Sequence, residues 1–452
     1  MSVPGGRVLR EMRRLAEETP AHRDRHVDLL RAIAITLVVA GHWLAVHVTY
    51  GAGGLRGGSV LDLVPWTRPL TWLFQVMPIF FLVGGYANAA SLASHRDRGG
   101  DAAAWALRRT DRLLRPTTVL LAVLTAAALA ARVLGVAPEP AGIAVWLAGI
   151  PLWFLVAYLA VVVLTPLTHA LHRRYGLAVP VVLTALVGVG DAARLLGWAP
   201  AVDQANFLFA WLAVHQLGFA WQDGRLRARP GVGVPMAVAG SAALVVLTVP
   251  GPYPVSMVGV TGQEIQNTSP PTLALLALAA AQTGVALACH DAASRWLRRA
   301  RPWTVVVAVN SVIMTLFLWH MTAAVIGAVA LYPSGVLPSP APGTPAWFLV
   351  RLPWLAALAL VLLVLVAVFG PVERRAGPRP AAGGTAGAVA GVLTSAGMAG
   401  AVAGLLGIAM AGPGAHGPAG MPTWALAAYF AGAAVLRSAR WRARGGVSGT
   451  AR

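Results

Sequence analysis

Lysine is missing altogether: all 35 basic residues of this 452-residue chain are arginine. Its absence points to GC-rich coding and so to a bacterial source. There is one cysteine, Cys289, which excludes an intrachain disulfide and any multi-cysteine metal site. Cys289 itself reads as an inert core thiol. Charged residues of both signs reach only 11%, where a soluble domain of this length carries about a quarter. That leaves too few polar side chains to cover a globular surface, so lipid must cover it. No HExxH, P-loop or GxSxG pattern occurs, which removes support for metalloprotease, nucleoside-triphosphatase and serine-hydrolase readings. No cleavable signal peptide is evident, because the residues before the first apolar run are polar and Arg-rich for too long. That first run is expected to stay as an anchor.

What is present is apolar. Hydrophobic residues make up 57% of the chain and the mean hydropathy is +0.69. Runs of about 20 apolar residues recur, each long enough to cross a hydrocarbon core of roughly 30 Å. The spans expected from these runs are 29–50, 69–94, 115–137, 144–170, 177–197 and 205–222, then 232–249, 271–290, 303–331, 346–370, 383–411 and 420–437. They are read as helices, since there is no even series of alternating strands and backbone groups in lipid must be satisfied internally. The fifth is interrupted by Asp191 and Arg194 at its outer end. The eleventh, rich in Gly and Ala, spans only if it packs closely against a neighbour.

The net charge of +19 could suggest nucleic acid, but the arginines form short clusters between apolar runs and no continuous basic face. The N-terminal tail holds Arg7, Arg10, Arg13, Arg14, Arg23 and Arg25. Every second connection after it is basic: Arg96 to Arg115, Arg173–Arg174, Arg225 to Arg229, Arg295 to Arg301, Arg374 to Arg379, and Arg437 to Arg452. Only Arg56, Arg68, Arg132, Arg194 and Arg351 fall on the other side. By the positive-inside rule both termini are expected in the cytoplasm. The fold class is therefore all-α, a polytopic transmembrane bundle of about 12 helices. The longest outer segment, about 250–270, is rich in Pro, Gly and polar residues. It reads as either a simple linker or a re-entrant or lid loop touching a substrate.

Ionisable residues inside a membrane are costly and so are functional candidates. The first expected helix, HVDLLRAIAITLVVAGHWLAVH, carries Asp28, Arg31 and His42. Eleven residues separate Arg31 from His42, which puts them about 20° apart around a helix axis and about 16 Å apart along it. Arg31 could be a topology anchor and His42 a satisfied bundle residue. The alternative pairs an inner anion site with a deeper acid/base group. In FFLVGGYAN, Gly84 and Gly85 permit a close backbone approach. The loop after it ends in RRTDRLLRP, where Arg108, Arg109, Arg112 and Arg115 recur at helical spacing. They serve as positive-inside anchors or present a cationic face suited to phosphate. Trp153, Phe154 and Tyr158 of PLWFLVAYL fit an interfacial aromatic belt. His215 and His320 sit alone within apolar helices, where a helix–helix hydrogen bond is the commoner role.

The ordered set DLLRAIAITLVVAGHW, PIFFLVGGY, RRTDRLLRP, PLWFLVAYL and NSVIMTLFLWHM resembles the acyltransferase-3 family of membrane O-acyltransferases, over about residues 25–370. The family's Arg-x10-His is matched by Arg31 and His42, and its RxxR before a proline by Arg109 and Arg112, with Arg115 just beyond. The resemblance implies transfer of an acyl group, usually acetyl, from cytoplasmic acyl-CoA as co-substrate to the hydroxyl of an extracytoplasmic acceptor, mostly a surface glycan. It implies no tightly bound cofactor, His42 as the catalytic residue and the RxxR arginines on the nucleotide phosphates. Arg31 would orient the donor, with Asp28 as its partner; Gly84, Gly85, Trp153, Tyr158 and His320 would support the site. Residues 1–26 are then a cytoplasmic Arg-rich segment, 27–371 a ten-helix acyltransferase core, and 372–452 an accessory segment with two further helices and a basic tail. Two departures stand out: Gly84 occupies the place of a serine common in the family, and the two last helices exceed its usual core. The expected location is the bacterial plasma membrane, with no nucleic-acid partner. Rival readings are a 12-helix secondary transporter, for which no repeated halves are found, and a non-catalytic membrane scaffold.

Overall fold

The computed structural model describes residues 4–20, 23–52, 54–199, 201–374, 388–412 and 417–445. The chain is a polytopic bundle of α-helices. In order they are α1 (Pro4–Glu17), α2 (Arg25–Ala45), α3 (Val60–Leu63), α4 (Thr71–Phe74), α5 (Met77–Asp97), α6 (Ala102–Val133), α7 (Pro138–Gly149), α8 (Leu152–Tyr175) and α9 (Ala178–Leu195). They continue with α10 (Asn206–Gln222), α11 (Pro230–Thr248), α12 (Leu273–Trp296), α13 (Ala300–Asn310), α14 (Ile313–Leu331), α15 (Pro345–Arg374), α16 (Ala388–Ala409) and α17 (Thr423–Gly445). Among the described residues, nine segments are long and apolar enough to cross a membrane. The expected spans 205–222, 383–411 and 420–437 correspond to α10, α16 and α17, which are helical but not among those nine. Residues 383–387 of the eleventh span, and Arg375, Arg379 and Arg452 of the basic connections, lie outside the described residues.

Several boundaries differ from the sequence expectation, each for a local reason. The first span ends at Ala45, not 50: Val46–Gly51 is a strand, β1, paired antiparallel with β2 (Gly54–Ser59) from Val46 opposite Ser59 to Gly51 opposite Gly54. Valine, threonine and tyrosine favour a pleated strand, and the glycines after them allow the reversal. The third span starts at Ala102, so RRTDRLLRP lies inside a continuous helix and not in a loop. The helix runs through Pro116, which lacks an amide for the Arg112 carbonyl. Spans four and nine each consist of two helices, broken at residues 150–151 and 311–312. Asp191 does not interrupt the fifth, which continues to Leu195. The Arg-rich N-terminal segment forms a helix that packs against α13: Met12 and Ala16 of α1 are buried, and Trp303 Nε1 of α13 donates to Ala16 O at 3.2 Å. Cys289 is exposed on α12 and is no core thiol.

The chain divides into two compact units. The first comprises Met1–Ala102, Ala160–Ile313 and Tyr332–Leu355. Within it small residues bring helix backbones together, as bundles in lipid require. A Cβ on Gly85 of α5 would lie 2.1 Å from the His215 carbonyl oxygen of α10, and one on Gly218 would lie 2.1 Å from that of Leu82. Beside this crossing Phe81 stacks on Trp211 with ring centroids 4.5 Å apart. The second unit comprises Ala103–Leu159, Met314–Leu331 and Ala356–Arg452. There α16 and α17 pack as closely as their Gly and Ala content demands, with a Cβ on Gly404 falling 2.4 Å from the Tyr429 amide. Tyr429 in turn bonds Thr118 Oγ1 of α6 at 2.9 Å.

The segment between α11 and α12 is no simple linker. Asn267, fully buried, donates to the carbonyls of Pro254 and Ser256 at 2.7 and 2.9 Å. Trp72 Nε1 and Gln75 Nε2, flanking the break before α5, donate to Val255 O and Met257 O at 2.7 and 3.2 Å. Its base is tied to Asp191, which accepts from Tyr253 Oη at 2.7 Å, the Leu273 amide at 2.8 Å and Asn206 Nδ2 at 3.0 Å. Burial and the bond to Asp191 push the Tyr253 hydroxyl above its ordinary range, so it stays a donor. Replacing Asp191 by Ala strands three donors, two of them in buried residues, at about 1–3 kcal/mol each when fully buried. Asp191→Ala should therefore lose at least about 2 kcal/mol in a detergent unfolding titration, whereas Val189→Ala, on the exposed face of the same helix, should change it by less than about 0.5 kcal/mol.

Candidate active site

Helix α2 carries the richest set of polar groups, and its first turn is fixed before any chemistry is considered. Asp24 caps it, accepting from the amides of His26 at 2.9 Å and Val27 at 3.3 Å. Burial alone would raise the Asp24 pKa, but bonds from His290 and those two amides outweigh it and hold the carboxyl below its usual range. One turn on, the buried Asp28 carboxylate accepts from Arg23 Nε at 2.6 Å, Arg23 Nη2 at 3.1 Å and Arg31 Nη1 at 3.1 Å. The bond to Asp28 raises the Arg23 pKa above its ordinary value. Asn310 Nδ2 of α13 donates to the Asp28 carbonyl at 2.9 Å, tying the helix to its neighbour. Asp28 is thus the partner of Arg31 that the sequence suggested. Arg23 is a second partner, which no periodicity could show because it precedes the helix.

His42 lies in the last turn of α2 and is half-buried. Its Nδ1 is 3.0 Å from the Val38 carbonyl oxygen. A carbonyl only accepts, so Nδ1 carries the proton and, in the neutral ring, Nε2 is the basic nitrogen. The helix is unbroken from Arg25 to Ala45. Arg31 and His42 therefore keep the shared face and the separation of about 16 Å expected of eleven helical residues.

Gly84 and Gly85 are buried in α5, and Gly85 makes the contact with α10 already described. Directly below it Asn88 Nδ2 donates to His215 Nε2 at 3.1 Å, so His215 is the helix–helix hydrogen bond anticipated for it. The sequence did not single out a cluster at the start of α2, where His26, Trp221 and His290 come together from α2, α10 and α12. Their ring centroids lie 5.3–6.2 Å apart, and His26 Nε2 donates to the Ala286 carbonyl at 2.9 Å. His290 Nε2 reaches Asp24 at 3.2 Å. Each of these residues is unremarkable in its own window; only the tertiary fold joins them.

The remaining site residues belong to the second unit. Arg108, Arg109, Arg112 and Arg115 lie on one helix, α6, within an arc of about 120° by helical geometry. Arg115 Nε pairs with Asp111 at 3.1 Å, and Arg112 is exposed. Trp153, Phe154 and Tyr158 of α8 form a ring cluster with α14: Phe154 lies 5.7 Å from Tyr158 and 5.2 Å from Phe317, whose ring is 6.2 Å from His320. His320 is fully buried and its Nδ1 donates to the Phe317 carbonyl at 2.7 Å. The belt aromatics and the lone histidine are therefore one assembly.

Apolar spans in number define a multi-pass membrane protein, and one of them, α2, carries an arginine, a carboxylate and a histidine. A family model of the acyltransferase domain, acyltransferase-3, matches residues 24–372, and the chain belongs to that family. The protein is accordingly an acyltransferase. No curated protein and no solved structure matches the chain.

The Arg23–Asp28–Arg31 group makes a graded prediction for stability. Removing Asp28 leaves two guanidinium groups without their counter-charge, whereas removing Arg23, half of whose side chain is exposed, leaves Asp28 still paired. Asp28→Ala should cost about 1–3 kcal/mol and Arg23→Ala less than about 1 kcal/mol, measured by thermal unfolding of the purified proteins side by side.

Proposed function

We propose that the protein is a membrane O-acyltransferase that moves an acyl group, acetyl in the first instance, from cytoplasmic acyl-CoA to a hydroxyl of an extracytoplasmic acceptor. The acceptor class that fits the family is a cell-surface carbohydrate or a glycosylated metabolite, and the membrane is the bacterial plasma membrane. Both termini face the cytoplasm on this reading, supported by the side on which 30 of the 35 arginines fall. The observation that carries the chemistry is the tautomer of His42: its Nδ1–H donates to Val38, which makes Nε2 the basic nitrogen of the neutral ring.

An alcohol is a weak nucleophile at neutral pH, and a base of pKa about 6.5 in its unperturbed form is well matched to its activation. His42 Nε2 takes the proton of the acceptor hydroxyl as the oxygen attacks the thioester carbonyl. The tetrahedral intermediate collapses with cleavage of the carbon–sulfur bond, and the imidazolium returns its proton to the departing CoA thiolate. Ester and free thiol are the products, with His42 neutral again. Arg31, held by Asp28, orients the donor and balances negative charge. The arginines of α6, Arg108, Arg109, Arg112 and Arg115, bind the phosphates of the nucleotide through forked hydrogen bonds. An acyl-histidine intermediate is the alternative course, with the same residue as nucleophile.

Purified protein incubated with radiolabelled acetyl-CoA and candidate surface glycans tests this directly. His42→Ala should reduce transfer by at least about 100-fold while leaving expression and membrane insertion unchanged. Transfer by the wild type should rise with pH through one ionisation and then level off, since only the neutral ring is a base. Substantial residual transfer in His42→Ala rejects the assignment.

A further inference from the structure

A second polar site lies beyond the end of α2, within the first unit. Arg351, from the start of α15, is 8% exposed and crosses to β1, where its Nη1 donates to the Val46 carbonyl at 2.5 Å. The guanidinium carbon sits 4.3 Å over the Trp347 ring. Its Nη2 is buried with no hydrogen-bond partner, and among the described residues no carboxylate pairs with it. A buried cation without a counter-charge is costly and calls for an anion. Arg351 lines a narrow pocket with His47, Tyr332, Ser339, Trp347 and Trp354, and no Asp or Glu lines it. The cavity, about 10 Å³, is at the size needed for one water, so it takes a single oxygen atom and not a sugar ring.

Hydrogen bonds among the lining groups fix the tautomer of His47 and the pocket wall. Trp347 Nε1, which can only donate, is 3.4 Å from His47 Nδ1. Burial, reinforced by the charge of Arg351, lowers the His47 pKa and keeps the ring neutral. Its one proton is then on Nε2, a second donor. Trp354 Nε1 donates to the carbonyl of Trp43 at 3.4 Å, which fixes the pocket wall to the residue next to His42.

We propose that this pocket binds a carboxylate of the acceptor, so that the substrate class is an acidic hydroxylated compound such as a uronic-acid glycan. One carboxylate oxygen enters the cavity and accepts from Arg351 Nη2 and His47 Nε2, supplying the missing counter-charge, and the acceptor's hydroxyl is thereby held toward the end of α2 that carries His42. The biological meaning rests on the acyl-transfer reading above, but the binding itself does not.

The test is a titration of purified full-length protein, without donor, with glucuronate and with its uncharged counterpart glucuronamide, read by thermal-unfolding midpoint. Glucuronate should half-saturate the shift at a concentration at least about tenfold lower, as a charge-assisted bond to a buried guanidinium predicts. Arg351→Gln should erase that preference and Arg351→Lys should restore part of it. His42→Ala should keep it, so that failure of the catalytic assignment and failure of this site give different results. Equal responses to the two probes, absence of any response to glucuronate, or a preference that survives Arg351→Gln overturns the proposal. Because the wild-type comparison stands alone, misfolding of a variant does not blunt it.

Discussion

Hydrocarbon offers no hydrogen bonds, and that constraint decides which polar groups this bundle can carry. Most of them are answered within the fold. Asp191 accepts three bonds, from Tyr253 in the 249–272 segment, from Leu273 just after it and from Asn206 of α10, Asn88 meets His215 where α5 crosses α10, and Asp28 is enclosed by two arginines. Against that background two groups stand out. In the neutral ring His42 has a basic Nε2 because its other nitrogen is committed to a backbone carbonyl four residues earlier. Arg351 has a buried Nη2 without a partner.

The architecture was largely legible because it is written in runs of apolar residues, and every expected span has a helix within it. What escaped were the ends and breaks. The strand at Val46–Gly51 follows α2 without a polar gap, so hydropathy runs on while the backbone changes from helix to pleat. The arginine-rich stretch before residue 115 is polar enough to read as a loop, yet α6 runs through it and through Pro116, because one lost amide costs less than ending a 32-residue helix. The ordering of segment 249–272 could not be read from its Pro and Gly content. It depends on Asp191, Trp72 and Gln75, which are distant in sequence.

For the site, the α2 residues were legible because a single helix fixes their relation: Asp28, Arg31 and His42 need only the 3.6-residue period. The α6 arginines and the Trp153–Tyr158 aromatics could likewise be placed on their own helices. Groupings that join several helices could not. His26, Trp221 and His290 are far apart in sequence, as are His47, Tyr332 and Arg351. In the sequence Arg351 is only one of five arginines on the minority side. Its significance is tertiary, since a buried guanidinium facing a backbone carbonyl and the Trp347 ring is invisible until α15 is placed beside β1.

The central claim is that the imidazole of His42, poised by Val38, performs the transfer. Diethyl pyrocarbonate modification of the purified enzyme, with each histidine followed by mass spectrometry, addresses it most directly. The structure predicts that loss of transfer tracks modification of His42 among the 11 histidines. It also predicts that acetyl-CoA together with acceptor slows both in parallel. Full activity in protein whose His42 is modified, or inactivation while His42 stays unmodified, would contradict it.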